Sequence, residues 1–383
     1  MLGINSNINS LVAQQNLNGS QSALSQAITR LSSGKRINSA ADDAAGLAIS
    51  TRMQTQINGL NQGVSNANDG VSMIQTASSA LSSLTSSLQR IRQLAVQAST
   101  GTLSPNDQAA LQKEVSAQIS EVNRIASQTT YNGTNILDGS AGNVTFQVGA
   151  NVGQTISLNL TQSMSAAKIG GGLVQKGQTV GTVAVTTDAA GAYTSAANPA
   201  ITSVNVLSDG NGGFTFTDQN NQALSATAVG AIFSSGATTG SGTAITNLTL
   251  SSTLATSMGT TAGNAATAAI AQINAINAPP TVSNLNISTV TGANEAMVSI
   301  DNALQTVNNL QASLGAAQNR FTAIATSQQA ESTDLSSAQS QITDANFAQE
   351  TANLSKAQVL QQAGISVLAQ ANSNPQQVLK LLQ

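Results

Sequence analysis

Residues 60–95 read LNQGVSNANDGVSMIQTASSALSSLTSSLQRIRQLA, and the spacing of their apolar positions decides the fold. Leu60, Val64, Ala67, Val71, Ile74, Leu81, Leu88 and Ala95 fall on the a and d positions of a heptad grid, with Ser78 and Thr85 as polar interruptions. Leu84, Ile91 and Leu94 form a second apolar row beside the first. A stripe that wide predicts a long helix packed against more than one neighbour. Near the other end of the chain Ile300, Val307, Leu314 and Phe321 repeat the heptad spacing, with Leu304 between. Two seams of one period, far apart in sequence, can bury each other.

Working outward, Ser104-Pro105-Asn106-Asp107 announces a further helix. Ser can cap it, Pro suits the first helical position, and Asp can reach back from the third. Leu111, Val115, Val122 and Ile125 give that helix its apolar stripe, and the turn residues Tyr131-Asn132-Gly133 stop it. Val144, Phe146 and Val148 alternate with polar residues, as do Ile156, Leu158 and Leu160. Gly149-Ala150-Asn151-Val152-Gly153 lies between them, and the whole predicts a hairpin.

The two ends are amphipathic as well. Ile4, Ile8 and Leu11 lead into Leu17, Leu24, Ile28 and Leu31, while Phe347, Leu354, Ile365 and Leu368 precede Val378, Leu379, Leu381 and Leu382. Neither end has enough apolar sequence around it to make a domain, so each needs a helical partner: the other end, or a second copy. Between about 166 and 284 the heptads vanish. Short β-branched runs, Val180 to Val185 and Ile201 to Val206, are followed by the turn Asp209-Gly210-Asn211-Gly212-Gly213 and by Phe214-Thr215-Phe216-Thr217. Ala262 to Ile276 can add one Ala-rich helix before Pro279-Pro280. The fold class is therefore mainly α with a β-rich insert: a long helical bundle or coiled coil formed by both chain ends, a β-hairpin, and a small inserted outer domain.

Composition narrows the chemistry. The 383 residues include no His, no Cys and no Trp; aromatics are 2% and charged residues 8%, so amides and hydroxyls carry the polarity. Imidazole- and thiolate-based nucleophiles, zinc sites built on either, and disulfides are all excluded, and no catalytic, cofactor-binding or metal-ligating residue is nominated. A net charge of −3 offers no footprint for nucleic acid or for anionic lipid. The N-terminal segment has no basic start followed by an apolar core, so no Sec-type signal is read there, and no apolar run is long enough to span a bilayer. The first 130 residues contain no aromatic, and no charged residue stands between Asp218 and Glu295.

The terminal pieces carry a family resemblance. Residues 31–47, LSSGKRINSAADDAAGL, resemble the signature of bacterial flagellin, the subunit of the flagellar filament. Leu88-Gln89-Arg90-Ile91-Arg92-Gln93-Leu94-Ala95-Val96-Gln97, Phe146-Gln147-Val148-Gly149 and the ending Gln377-Val378-Leu379-Lys380-Leu381-Leu382 look like further flagellin segments, in the same order. The resemblance covers about 1–165 and 285–383, while the middle matches no nameable pattern. It implies coiled-coil halves at 1–45 and 344–383, a helical bundle with hairpin at 46–165 completed by a helix at 285–343, and a variable solvent-facing β-rich domain at 166–284. It also implies export of unfolded chains through the flagellar type III apparatus, which would explain the missing signal peptide, and an extracellular location in the flagellum.

The partners implied are further copies of the chain, flagellar cap and hook-associated proteins, a flagellin export chaperone, and host Toll-like and inflammasome receptors. Gln89, Arg90, Leu94 and Glu114 lie where the flagellin-sensing Toll-like receptor reads the family. Arg90 and Arg92 equally suit a solvated or subunit-facing surface, and Leu94 a core or lattice contact. Self-assembly is assigned to Ile4, Ile8, Leu11, Leu24, Ile28 and Leu31 at one end. Phe347, Leu354, Ile365, Leu368, Leu379, Leu381 and Leu382 carry it at the other, where the final leucines also resemble the segment sensed by inflammasome receptors. An open helical polymer needs contacts that do not close, and the ends are expected to gain their helicity on docking. A hook-filament junction protein and a secreted β-rich adhesin are the alternatives. A zinc-protease insert is removed by the absence of histidine. The Asn-x-Ser/Thr sequons occur no more often than chance, and Asp209 to Gly213 reads as a hairpin turn before it reads as a calcium loop.

Overall fold

The structure is a computed structural model that describes residues 7–174, 176–196, 198–235 and 247–381. Its helices in chain order are α1 (Ile8–Ser33), α2 (Ala44–Ala98), α3 (Pro105–Gln128), α4 (Ala226–Ile232), α5 (Ser252–Ser257), α6 (Gly259–Asn277), α7 (Val290–Thr343) and α8 (Phe347–Leu381). The strands are β1 (Thr130–Tyr131), β2 (Thr134–Asn135), β3 (Gly142–Gln147), β4 (Thr155–Leu160), β5 (Thr179–Thr187), β6 (Ile201–Ser208), β7 (Phe214–Asp218), β8 (Phe233–Ser235) and β9 (Thr249–Leu250). The chain divides into two compact units, one of Met1–Asn68, Gln147–Ile156 and Thr322–Gln383, the other of Asp69–Phe146 and Ser157–Phe321. Among the described residues no helix is long and apolar enough to cross a membrane.

In the first unit α1 and α8 run antiparallel along each other. Asn7 Nδ2 donates to the Ala371 carbonyl at 2.8 Å at one end, and Arg30 meets Glu350 at 3.1 Å at the other. The segments expected to gain helicity on docking are helical here and paired with each other. Gly34 ends α1 in the left-handed region, φ 70°, and turns the chain into a connector. That connector is sewn to the α7–α8 junction: Arg36 N donates to the Thr343 carbonyl at 2.6 Å and Ala345 N to the Gly34 carbonyl at 2.9 Å. The carboxylate pair Asp42-Asp43 is structural. Asp42 accepts from Gln26, Asn38 and Ser39, and Asp43 Oδ1 accepts Gly46 N at 2.8 Å, capping α2. These bonds, first among them that from Gln26, hold the Asp42 carboxyl below its usual range. The loop between β3 and β4 lies against α2 at two glycines. A Cβ at Gly59 would stand 2.8 Å from that of Ala150, and one at Gly63 would collide with the Val148 carbonyl.

The second unit is a helical bundle with the insert. The expected rows are its core: Ile74, Leu81, Leu84, Leu88, Ile91, Leu94 and Ala95 on α2, Val115, Val122 and Ile125 on α3, and Ile300, Val307, Leu314 and Phe321 on α7 are buried. Each large member contributes about 1.5–3 kcal/mol over leaving it exposed. Phe321 meets Phe146 edge-on at 5.2 Å and leaves no room for a Cβ on Gly70, 2.6 Å from its ring. The Ser104 capping box forms as read, with Pro105 opening α3 and Asp107 bonding back to the Ser104 amide. The stop after α3 is a hairpin in its own right: Asn132 (φ 49°) and Gly133 (φ 78°) form the two-residue turn between β1 and β2.

The insert contains an antiparallel three-stranded sheet, β5-β6-β7, with α6 packed on it so closely that a Cβ at Gly181 would stand 2.6 Å from Ile273. Phe216 and Phe233 stack at 4.9 Å inside its core. The Ala-rich segment is helix α6 as expected; α4 and α5, too short for a periodic signal, add to it. One turn design is used three times. Asp188, Asp209 and Asp218 each donate a backbone N–H to the carbonyl four residues on and accept, on Oδ1, the amides two and four residues on. The carboxylate at 209 is thus satisfied within a hairpin turn, which fits the reading of that segment.

Candidate assembly surface

No group of three or more His, Cys, Asp or Glu that could hold a metal occurs among the described residues. The perturbed ionisable groups owe their shifts to local hydrogen bonds or, for Glu295, to burial. Hydrogen bonding to Asp301 raises the Arg92 pKa, and hydrogen bonding from Arg124 lowers that of Glu121. What the molecule does offer is apolar surface on its terminal helices.

Each terminal helix carries an inner stripe, with exposed apolar residues on its other faces. On α1 the inner stripe runs Ser10, Ala13, Leu17, Ser20, Leu24, Ala27 and Leu31, alternating three and four residues apart, which is the heptad period. On α8 it runs Glu350, Leu354, Ala357, Gln361, Gly364, Leu368 and Ala371 with the same alternation. Ala13, Ala27, Ala357 and Ala371 are buried there, the leucines half-buried. The small column, Ala13, Ser20 and Ala27 on one helix and Ala357, Gly364 and Ala371 on the other, allows close approach: a Cβ at Gly364 would lie 3.8 Å from that of Leu17.

Much of the apolar bulk is exposed. Ile8, Leu11, Val12 and Ile28 on α1 and Phe347, Val359, Leu360, Ile365 and Val367 on α8 are all exposed, Ile8, Leu11 and Phe347 by 62%, 67% and 69%. Scattered exposed apolar residues are ordinary, but nine on two paired helices are a surface. Covering them is worth on the order of 10–20 kcal/mol gross, against about 4–15 kcal/mol for association, so they must be covered together to hold.

The structure splits the assembly residues read from sequence. Ile8, Leu11, Ile28 and Ile365 are exposed off the seam and Phe347 is exposed at the head of the seam's leucine column, whereas Leu24, Leu31, Leu354 and Leu368 lie half-buried in the seam. Ile4 and Leu382 lie outside the described residues, as do the side chains of Leu379 and Leu381, whose backbone belongs to α8. Sequence reasoning missed Val12, Val359, Leu360 and Val367, and it missed the small column. Small residues at 13, 20, 27 and 357, 364, 371 were the available signal.

The receptor-type residues cluster on the second unit. Arg90 Nε donates to Glu114 Oε1 at 2.8 Å, joining α2 to α3, and Gln89 is exposed beside it. Leu94 is 1% exposed and supports this surface from within. Exposed ion pairs of this kind contribute about 0–1 kcal/mol, so Arg90 and Glu114 do little for the fold.

The helical regions and the insert each match a known family model. Residues 4–142 match the bacterial flagellin N-terminal helical region, 172–278 the flagellin D2 domain, and 297–382 the bacterial flagellin C-terminal helical region. The middle, without a nameable pattern in sequence, is therefore matched as well. Flagellin B of Vibrio cholerae is 37% identical over all of this chain and 99% of the relative, and the B-type flagellin of Pseudomonas aeruginosa is 36% identical over the whole of both. The solved structure of FliC from Burkholderia pseudomallei is 67% identical with a TM-score of 0.61, covering 66% of this chain and 99% of that one. With three family regions matched in order and full-length relatives of this identity, the chain belongs to the bacterial flagellin family.

Proposed function

We infer that the chain is a structural subunit that polymerises with copies of itself into the flagellar filament used for swimming. The observation that carries this reading is exposed apolar bulk: the terminal helices close on each other through small residues and half-buried leucines and leave nine further large apolar side chains exposed. A heterologous contact between such surfaces propagates into an open helix when its rotation does not close. The inner seam buries little bulk, so the ends are marginal in a lone chain and completed by neighbours.

The same reading extends to delivery and partners. Without cysteine the chain has no disulfide to form before or after threading through a narrow export channel, and its place of work is the extracellular flagellum. A type III route, an export chaperone covering the apolar C-terminal helix, and cap and hook-associated proteins at the ends of the polymer are the partners this assembly requires. Host recognition is assigned to Gln89, Arg90 and Glu114 at the surface, with Leu94 beneath them, for a Toll-like receptor, and to the terminal leucines for inflammasome receptors.

Electron microscopy of the purified chain under polymerising conditions tests the central part. Long helical filaments are the expected result, and small closed oligomers, or persistent monomer that binds only preformed ends, would overturn it.

A further inference from the structure

Apolar packing leaves the α1–α8 pair with a choice of register. The small column and the leucine column each repeat every seven residues, so sliding one helix by a heptad, about 10 Å, again sets small residues into the seam and leucines beside leucines. Two polar residues of α8 break the repeat, Gln361 in the leucine column and Glu350 in the small column. Glu350 occupies a position of the small column, its side chain 9% exposed, with Oε1 at 3.1 Å from Arg30 Nη1 and Oε2 accepting from Asn353 at 3.3 Å.

A slip of one heptad would set Glu350 beside Ala23 or Ile37, and Arg30 beside Ala357 or Thr343. Either slip leaves a carboxylate in the seam without its cation, the arrangement that buried ion pairs penalise most. At the connector end the backbone bonds of Arg36 N to Thr343 and of Ala345 N to Gly34 agree with the register of the ion pair, while the side-chain bonds along the rest of the pair are weaker guides. Asn7 to the Ala371 carbonyl and Ser10 to Asn372 are neutral, and the second is exposed, so water can replace them. Arg30 Nε is buried and finds no partner among the described residues. A pair with an unsatisfied donor is a poor source of stability and a good discriminator between registers.

We propose that the Arg30–Glu350 ion pair sets the register in which the chain's two terminal helices pair.

The absence of cysteine makes register directly readable, because any introduced pair reports alone. The 3.8 Å between a Cβ at 364 and that of Leu17 matches the spacing of about 3.8 Å that a disulfide needs. Full-length Leu17→Cys/Gly364→Cys reports the native register; Leu17→Cys/Ala357→Cys and Leu17→Cys/Ala371→Cys report slips in either direction. On mild oxidation of the monomer the first pair should cross-link in large excess over the other two. Adding Arg30→Ala and Glu350→Ala should reduce that excess by about tenfold or more as slipped cross-links appear. Exchanging the charges, Arg30→Glu with Glu350→Arg, should restore it. An unchanged excess in the double-alanine chain would overturn the proposal. So would uniform loss of all three cross-links, which would mean that the pair holds the helices together without choosing their register, or a charge exchange that fails to restore the native pattern.

Discussion

The α2–α3–α7 bundle and the α1–α8 pair use the same heptad grammar with opposite vocabularies. In the bundle the a and d rows are large, from Leu81 and Leu88 to Phe321, and they are fully buried within one chain. In the terminal pair the buried apolar positions are Ala13, Ala27, Ala357 and Ala371, while Leu11, Leu360 and Phe347 stay in solvent. A heptad repeat therefore fixes that a helix has a partner, and side-chain size fixes how much apolar surface that partner buries. The bundle is made to fold alone. The pair is made to be completed.

The contrast can be broken at graded points. Phe321→Ala removes the ring that fills the bundle beside Phe146 and should cost about 3–5 kcal/mol, read as a lowered melting temperature of the monomer. Ala27→Leu should act in the other region: overpacking the small column costs about 1–3 kcal/mol, enough to part α1 from α8. Amide exchange would then rise in both terminal helices and stay slow in α2 between 69 and 98. Ser104→Ala deletes one half of the capping box and should lower bundle stability by about 1 kcal/mol. The smallest effect is that of acid on the connector. Because hydrogen bonds hold the Asp42 carboxyl below its ordinary value, its stabilisation is present above about 3.9 and is lost as pH falls through and below that value. Protection of the Asn38 and Ser39 amides, measured against their unfolded exchange rate at the same pH, should fall there, and Asp42→Asn should abolish that pH dependence.

Much of this was legible in the residues themselves. The heptad rows of α2 and α7, the Ser104 cap, the β3–β4 alternation and the β-branched runs of the insert each state a local preference that the fold obeys, because in each the buried face is made of large apolar or capping residues. The division of the terminal stripes was not legible in the same way. Leu24 and Ile28 look alike in sequence, yet one lies half-buried in the seam and the other faces out, since the faces are sorted by alanines and a glycine too small to register as an apolar signal. Helices α4 and α5 have 7 and 6 residues, too few for periodicity to show. The thrice-used aspartate turn escaped notice for a related reason: only the acid is common to its three copies, and the bonds that define it are to backbone amides.

The central claim is that the exposed apolar side chains of the terminal helices serve assembly and not the fold of the single chain. It is tested by Leu11→Ser with Leu360→Ser in one full-length chain, comparing monomer melting with filament formation. The account predicts a monomer whose melting is nearly unchanged, since exposed substitutions shift stability by about 0.5 kcal/mol or less, together with loss of filaments or a sharply raised critical concentration. Filaments of normal length at the normal critical concentration would contradict it.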